Sequence, residues 1–339
     1  MNRGFWDTLP RPFYVLAPLA DVTDAAFRRV IAKYSKSPVR NPGLAQVAET
    51  RVSARVPFAM WTEFVSADGL AFAPEEGRKK LLADLIFTDA ERPIVAQFFS
   101  GTPANMEKAA ALARELGFDG VDVNMGCPDR SIEKQGAGAG HIKDPKRAQE
   151  VIAAAKRGAD GLPVSVKTRL GYNKDELEEW LPKLLETGLA AITLHARTRK
   201  EMSAVPAHWD RVERAVELRN SLAPETLIVG NGDTEDLADA RTKAEETGAD
   251  GIMLGRAIFG NPWLFGGHVP SLSEKLHTMV EHTRLYQELL PHKSFAIMKK
   301  HYKAYVNGFD GAAELRGQLM NAGNVEEVAL LAEEFLRTA

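Results

Sequence analysis

A chain of 339 residues with a formal net charge of -3, 45% hydrophobic and 26% charged residues has a globular composition, which excludes disordered and fibrous proteins. The slightly acidic balance argues against a domain that coats nucleic acid through bulk charge. A single cysteine excludes an internal disulfide and favours a reducing, cytoplasmic location. We expect no membrane association, because no uninterrupted apolar run could cross a bilayer.

Eight short apolar segments predict strands, at 13–17, 59–65, 94–98, 121–124, 163–167, 191–195, 227–231 and 251–255. Helical patterns lie between them. The first has Thr23 or Asp24 as its N-cap, and others cover 106–116, 145–157, 174–187, 209–220 and 235–247. Glycines such as Gly158, Gly188 and Gly248 mark helix exits. This alternation predicts an α/β protein with a (β/α)8 TIM barrel.

The last part of the chain has a different pattern. Residues 272–339 contain helical patterns, interrupted at Gly308 and Gly311, and no strand pattern. We therefore predict a barrel catalytic domain over 1–265, with an insertion near 35–57, and a helical domain over 266–339. No acidic residue lies between Pro291 and Gly308, which predicts a basic face made of His292, Lys293, Lys299, Lys300, His301 and Lys303.

The active site of such a barrel forms at the carboxyl ends of its strands. The residues there are mostly polar or small: Pro18 with Leu19 and Ala20, Glu63, Gln97, Asn124, Lys167, His195, Asn231, and Gly255 with Arg256. Asn231-Gly232-Asp233 and Gly255-Arg256 follow the last two strands, where barrels usually bind phosphate. An Asx turn followed by a surface arginine is the alternative, and we favour phosphate binding.

Two further strand ends suggest a ligand. Lys167 could form a Schiff base or hold an anionic cofactor atom. His195 could be a core histidine, but a ligand shared with Lys167 explains it better. Gln97 is weaker as an indicator, because a buried amide bonded to the backbone would look the same in sequence.

Cys127 lies on the loop after the fourth strand, between Gly126 and Pro128, and a glycine-rich run follows at 136–140. A lone cysteine is most often a small buried hydrophobic residue. At this position its thiol could instead be a nucleophile or a proton donor. A metal site is disfavoured, because there is no second cysteine and the histidines lack ligand spacing.

These motifs together resemble the tRNA-dihydrouridine synthases, which are flavin-dependent reductases of uridine in transfer RNA. The resemblance runs from Ala17-Pro18 past Leu315 in family order. Its most specific segments are Val22-Thr23-Asp24, Asn124-Met125-Gly126-Cys127-Pro128, Lys134 with Gly136-Ala137-Gly138, Val166-Lys167-Thr168-Arg169, Leu194-His195-Ala196-Arg197, Asn231-Gly232-Asp233, Gly255-Arg256 and Asn261-Pro262-Trp263.

The resemblance implies FMN, with its phosphate at Asn231, Gly232, Asp233, Gly255 and Arg256. Pro18, Leu19, Ala20, Gln97, Lys167 and His195 would surround the isoalloxazine. NADPH would reduce the flavin, hydride would pass from flavin N5 to C6 of uracil, and Cys127 would protonate C5. Asn124 with Arg169 or Arg197 would contact the base, and Lys299, Lys300 and Lys303 would bind the tRNA backbone.

Three other functions compete with this one. They are a flavin barrel oxidoreductase acting on a small molecule, an inactive RNA-binding protein that keeps the barrel as a scaffold, and a Schiff-base aldolase working through Lys167. We expect the protein to be monomeric.

Overall fold

The computed structural model describes residues 2–36 and 57–338. These residues form two compact units, one of residues 2–19, 57–85 and 92–256 and the other of residues 20–36, 86–91 and 257–338. Relative to the domains expected over 1–265 and 266–339, the second unit also contains 20–36, 86–91 and 257–265. The predicted insertion at 35–57 lies outside the described residues, except for positions 35, 36 and 57.

Eight parallel strands close a barrel in the first unit, which confirms the predicted fold class. The strands are β1 (Phe13–Leu16), β2 (Phe58–Ser66), β3 (Ile94–Phe99), β4 (Gly120–Met125), β5 (Val164–Arg169), β6 (Ala191–His195), β7 (Leu227–Asn231) and β8 (Gly251–Leu254). Each strand pairs with its neighbours in chain order, and β1 closes the barrel against β8. The predicted bounds agree with these to within a few residues.

The barrel interior is apolar toward one end and polar toward the other. Phe13, Trp61 and Met253 belong to a buried cluster that Trp6, from the N-terminal segment, completes. Alternate residues of a strand face the same side, so inward positions nearer the carboxyl ends of the barrel strands lie beyond this cluster. Those positions are polar and in register across neighbouring strands: Gln97 with Asp122, Asn124 with Lys167, Arg169 with His195, and His195 with Asn231.

The helices of the barrel unit are α2 (Ala67–Phe72), α3 (Glu75–Ala83), α4 (Pro103–Glu115), α5 (Arg130–Glu133), α6 (Pro145–Ala159), α7 (Leu177–Leu185), α8 (Trp209–Leu222) and α9 (Leu237–Thr247). Gly248 caps α9 with φ of 68°, as predicted. The prediction for Gly158 is wrong, because this residue lies inside α6. A Cβ there would be 2.0 Å from the carbonyl oxygen of Glu107 on α4, so the glycine allows two helices to pack closely.

The second unit contains α1 (Ala25–Ile31), α10 (Leu272–Leu289), α11 (Met298–Tyr305), α12 (Ala312–Leu319) and α13 (Val325–Thr338). Asp24 caps α1 by accepting the Phe27 N–H at 2.9 Å, which resolves the choice between the two predicted caps. Gly308 and Gly311 lie between α11 and α12, where the break was predicted. Among the described residues, no helix is both long and apolar enough to cross a membrane.

Candidate active site

The amide of Gln97 on β3 joins two side chains of β4 inside the barrel. Its Nε2 donates to the Asp122 carboxylate at 2.6 Å, and its Oε1 accepts from Asn124 Nδ2 at 3.0 Å. Asn124 Oδ1 in turn accepts the backbone N–H groups of Gly126 and Cys127, at 3.1 and 2.9 Å. The strand end is therefore connected to the cysteine loop by an unbroken series of hydrogen bonds.

Cys127 is half-buried and packs, as Phe64 does, against an apolar cluster of Phe99, Ile132 and Ala137. Its carbonyl accepts the Ala139 N–H at 2.9 Å, and a Cβ on Gly138 would lie 2.7 Å from that same oxygen. The glycine run therefore lies directly against the cysteine loop. Burial raises the pKa of the Cys127 thiol above its ordinary value. The thiol is thus protonated at neutral pH, the state that a proton donor requires.

His195, at the end of β6, is surrounded by cations. Burial and the charges of Lys167, Arg169, Arg197 and Arg256 hold the pKa of His195 far below its ordinary value, so the ring is neutral. Arg197 Nη1 lies 3.2 Å from His195 Nε2. Because a guanidinium can only donate, that ring nitrogen is the acceptor.

Lys167 is the cation of this group that lies inside the barrel end. Burial and the neighbouring charge of Arg169 lower the pKa of Lys167 to about 8. The Lys167 side chain is therefore charged at neutral pH, but it loses its proton more readily than an exposed lysine does. A bound anion would stabilise the charged form. The expectation that Lys167 and His195 share a ligand is consistent with this arrangement.

The loops after β7 and β8 meet at Asp233. Its carboxylate accepts hydrogen bonds from the guanidinium groups of Arg197 and Arg256 and from the Ala207 N–H. Although partial burial acts the other way, the Ala207 N–H and the two arginines hold the pKa of Asp233 below its ordinary value. Asp233 therefore orients cations, and the donors left for a phosphate are the backbone of this loop and the exposed Arg256 side chain.

The structural reasons for glycine at positions 232 and 255 differ. Gly232 has φ of 134°, and a Cβ there would lie 2.8 Å from that of Ala207, so the fold itself requires glycine. Among residues 2–36 and 57–338, an added Cβ at Gly255 would meet only Ala17 and Leu19, at 3.7 and 3.9 Å, which are ordinary contacts. Space beside Gly255 is thus left by the protein, as a ligand approaching this backbone would need.

The two arginines expected at the base are largely held by the protein. Arg169 is buried and donates to the carbonyl oxygens of Gly126, Thr198 and Met202, at 2.8, 3.1 and 3.0 Å. It thereby ties the cysteine loop to the loop after β6. Arg197 donates to Val205 O at 2.6 Å as well as to His195 and Asp233. Both use three of their donor contacts within the protein.

The remaining predicted site residues lie as follows. Pro18 and Leu19 follow β1, buried and half-buried, and Ala20 is exposed at the start of the second unit. Asn231 is buried at the end of β7 and donates to Met253 O at 2.8 Å. Gln97 was left open as a buried amide bonded to backbone, but its amide bonds to side chains.

The predicted basic face runs from His292 to Lys303, and its part on α11 needs one correction. Lys303 is exposed and Lys299 and Lys300 are half-buried, but His301 is buried against Phe27 and His282. Burial lowers the pKa of His301 to about 3, so its ring is neutral and does not belong to the basic face. Helical periodicity explains the difference, because 299, 300 and 303 share a side of the helix that excludes 301 and 302.

Asp122 was missed among the site residues although the sequence carried a signal for it. In Val121-Asp122-Val123-Asn124 the two polar residues alternate with β-branched ones, which places Asp122 on the inward face that Asn124 occupies. A buried carboxylate within a barrel strand is unusual enough to indicate a role. Its partners come from β3 and β5 and depend on the strand register.

Comparison with known proteins finds relatives of this chain over nearly its full length. The family profile described as Dihydrouridine synthase (Dus) matches residues 15–339. The chain is 39% identical over 345 residues to the probable tRNA-dihydrouridine synthase 2 of Bacillus subtilis (strain 168), covering 99% of this chain and 98% of the relative. It is 38% identical over 340 residues to the probable tRNA-dihydrouridine synthase of Staphylococcus aureus (strain COL), covering 99% and 96%.

Among solved structures, morphinone reductase in complex with tetrahydroNAD has a similar fold, with a TM-score of 0.50 and 14% identity over 78% of this chain and 89% of that one. The family match places the present chain in the class of flavin-dependent oxidoreductases built on a barrel. The chain belongs to the dihydrouridine synthase family. The cations around His195 and the space beside Gly255 fit an anionic flavin nucleotide.

Proposed function

We propose that this protein is a tRNA-dihydrouridine synthase that reduces the C5=C6 bond of uridines in tRNA to 5,6-dihydrouridine, with FMN as cofactor and NADPH as reductant. One observation carries the proposal above all. The single thiol of the chain is kept protonated by burial, on a loop of the same barrel mouth that gathers cations around His195. Reduction of a C=C bond needs both a hydride donor, which the cations would hold, and an acid.

In this proposal the cation cluster holds FMN. The backbone of Gly232 and Gly255 and the Arg256 side chain would bind the phosphate, with Asn231 and Asp233 positioning the loop and its arginines. Lys167, His195, Gln97 and the segment Pro18-Leu19-Ala20 would surround the isoalloxazine, where the Lys167 charge favours electron-rich ring atoms. The flavin, when bound and reduced, supplies the hydride for C6 of the uracil.

Cys127 would protonate C5 of the uracil. A thiol whose pKa is raised by burial keeps its proton until a stronger base is presented, and a carbon bearing developing negative charge is such a base. The nearby Arg169 guanidinium stabilises the thiolate that remains, because it lowers the energy of negative charge on that sulfur. Bulk solvent can then reprotonate the thiol.

The base would be read by the acid loop and its supports. One Asn124 amide hydrogen is donated to Gln97, which leaves the second for a uracil carbonyl. Arg169 contributes its remaining guanidinium donors at the same edge. Arg197 is bonded to His195, Asp233 and Val205, so we assign it mainly to positioning these groups.

Turnover of tRNA tests the proposal directly. Protein reconstituted with FMN is incubated with NADPH and tRNA lacking dihydrouridine, and the modified base is quantified by mass spectrometry. We expect NADPH-dependent dihydrouridine, and no comparable turnover of free uracil or a cyclic enone. Turnover of the small molecules without modification of tRNA would favour the small-molecule oxidoreductase, and failure to bind any flavin would exclude both functions.

The lysines of α11 provide an independent test of the RNA substrate. Simultaneous Lys299→Glu, Lys300→Glu and Lys303→Glu substitution should raise KM for tRNA by about tenfold or more, because contacts to phosphate dominate such affinity. Flavin reduction by NADPH should stay unchanged. Lys108→Glu, at an exposed position of α4, is the matched control. Unchanged KM in the triple variant would contradict the assignment of this face to tRNA.

A further inference from the structure

Asp122 is buried inside the barrel, on β4, and its carboxylate accepts two side-chain hydrogen bonds. Gln97 Nε2 donates to Oδ2 at 2.6 Å, and Ser165 Oγ on β5 donates to Oδ1 at 2.5 Å. Burial raises the pKa of Asp122 to about 6, against the opposing effects of Ser165, Gln97 and Lys167. Ser165, Gln97 and Lys167 favour the charged form of this carboxyl, and burying such a group has a free-energy cost.

The hydrogen bonds that begin at Asp122 have a single polarity. An ionised carboxylate only accepts, so the Gln97 amide must turn its NH2 group toward Asp122 and its oxygen toward Asn124. Asn124 must then turn its NH2 group to Gln97 and its oxygen to the backbone N–H groups of Gly126 and Cys127. Reversing either amide would place NH2 against NH2 or oxygen against oxygen.

The cysteine loop, at the other end of this series of hydrogen bonds, requires the same amide orientations. Two backbone N–H groups point at Asn124 Oδ1, and backbone amides cannot accept. The amides of Gln97 and Asn124 are thus determined from both sides, by a carboxylate and by the cysteine loop. Without Asp122, Gln97 Nε2 would lose its acceptor, and Gln97 and Asn124 would be held from the loop side alone.

We propose that Asp122 is a positioning residue for Cys127, acting through Gln97 and Asn124 to fix the conformation of the cysteine loop. Its effect on catalysis rests on the proposed acid role of Cys127, whereas its effect on the loop does not. Asp122 touches neither the thiol nor the loop backbone directly. Through the relay of Asp122, Gln97 and Asn124, a carboxylate inside the barrel fixes the position of the proton donor on the loop.

Because Cys127 is the only cysteine of the chain, alkylation by iodoacetamide reports on this loop alone. Asp122→Leu keeps the number and branching of the side-chain heavy atoms and removes both acceptors. We expect its alkylation rate to rise about tenfold, since loss of a hydrogen bond to a charged group frees the loop and exposes the thiol. The thiolate fraction also rises as burial decreases.

Asp122→Asn is the conservative variant. Its Oδ1 can accept from Gln97 while its Nδ2 donates to Ser165 Oγ, which preserves the polarity of the relay. Its alkylation rate should remain within about twofold to threefold of the parent protein, and so should that of Ser165→Ala, which leaves the Gln97 contact in place. An equal rise in all three variants would indicate general loosening of the barrel and overturn the proposal.

If Asp122→Leu fails to fold, Gln97→Met breaks the relay in its middle at similar volume, and the same rise in alkylation is expected. A parent-like rate in the folded relay-breaking variant would refute the positioning role. Single-turnover reduction of tRNA by the pre-reduced enzyme separates the two proposals. Faster alkylation with slower dihydrouridine formation supports the positioning role of Asp122 and the acid role of Cys127. Faster alkylation with unchanged dihydrouridine formation supports the positioning role and contradicts the acid role.

Discussion

The two sides of the barrel mouth are organised in opposite ways. On the acid side, at the ends of β3 and β4, Asp122, Gln97 and Asn124 satisfy one another and hold the Cys127 loop. On the cation side, at the ends of β5 to β8, four cations act on a neutral His195. Asp233 pairs with two of those cations, Arg197 and Arg256.

This difference separates what the protein prepares by itself from what a ligand completes. The acid side needs no ligand to fix its geometry, because its hydrogen bonds close within the protein. On the cation side Asp233 offsets only part of the positive charge, so the remaining like charges repel one another until a further anion binds. Substitutions on the acid side should therefore affect proton delivery, and those on the cation side should affect cofactor affinity.

The largest expected effect on the cation side comes from Lys167→Met. Loss of a charge-assisted contact to the flavin should weaken FMN binding by about 10- to 100-fold, measured by quenching of flavin fluorescence. Lys183→Met, at a position of α7 paired with Glu186, is the matched control and should bind FMN normally. Equal affinity in the two variants would mean that Lys167 does not face the cofactor.

A pH titration should give the next largest effect. The pKa of Lys167 is about 8 without ligand, and the FMN phosphate is already a dianion above neutral pH. As pH rises from 7 to 9 the free protein loses this charge, so binding must take up a proton and affinity should fall about tenfold. Lys167→Met should have a flat profile over this range. An unchanged affinity in the parent protein would contradict the lysine–flavin contact.

Gly255→Ala should have the smallest of these effects. The added methyl group makes only ordinary contacts with the described part of the chain, so the melting temperature should stay near that of the parent. FMN affinity should fall by about three- to tenfold, because the methyl group occupies the space where phosphate approaches the backbone. Gly232→Ala, unlike Gly255→Ala, should lower the melting temperature, since φ at Gly232 is 134° and Ala207 is close. Unchanged FMN affinity in Gly255→Ala would mean that the phosphate does not bind beside Gly255.

Much of this architecture could be predicted from residue order. Strand alternation and the rule that barrel sites form at carboxyl ends placed Gln97, Asn124, Lys167, His195 and Asn231 at one mouth, and each lies at or near the end of its strand. The same alternation predicts that Asp122 faces inward. It was left out because the candidate residues were taken only from the strand ends.

The partners of these side chains could not be predicted in the same way. Arg197 contacts Asp233 across 36 positions of sequence, because β6 and β7 lie side by side with His195 in register with Asn231. Sequence patterns identify such residues as candidates, but the choice between contacting a ligand and orienting a neighbour depends on loop geometry. His301 illustrates the same limit, since its burial follows from packing against Phe27 and not from its basic neighbours.

The most direct test of the central claim is to measure the two half-reactions of Cys127→Ala separately. The substitution removes the acid and leaves the cation side intact. We expect flavin reduction by NADPH within about twofold of the parent protein, and dihydrouridine formation in a single turnover slower by about 10²- to 10⁴-fold, the usual contribution of a positioned acid. Parent-like dihydrouridine formation, or an equal loss of both half-reactions, would contradict the assignment of Cys127 as the proton donor.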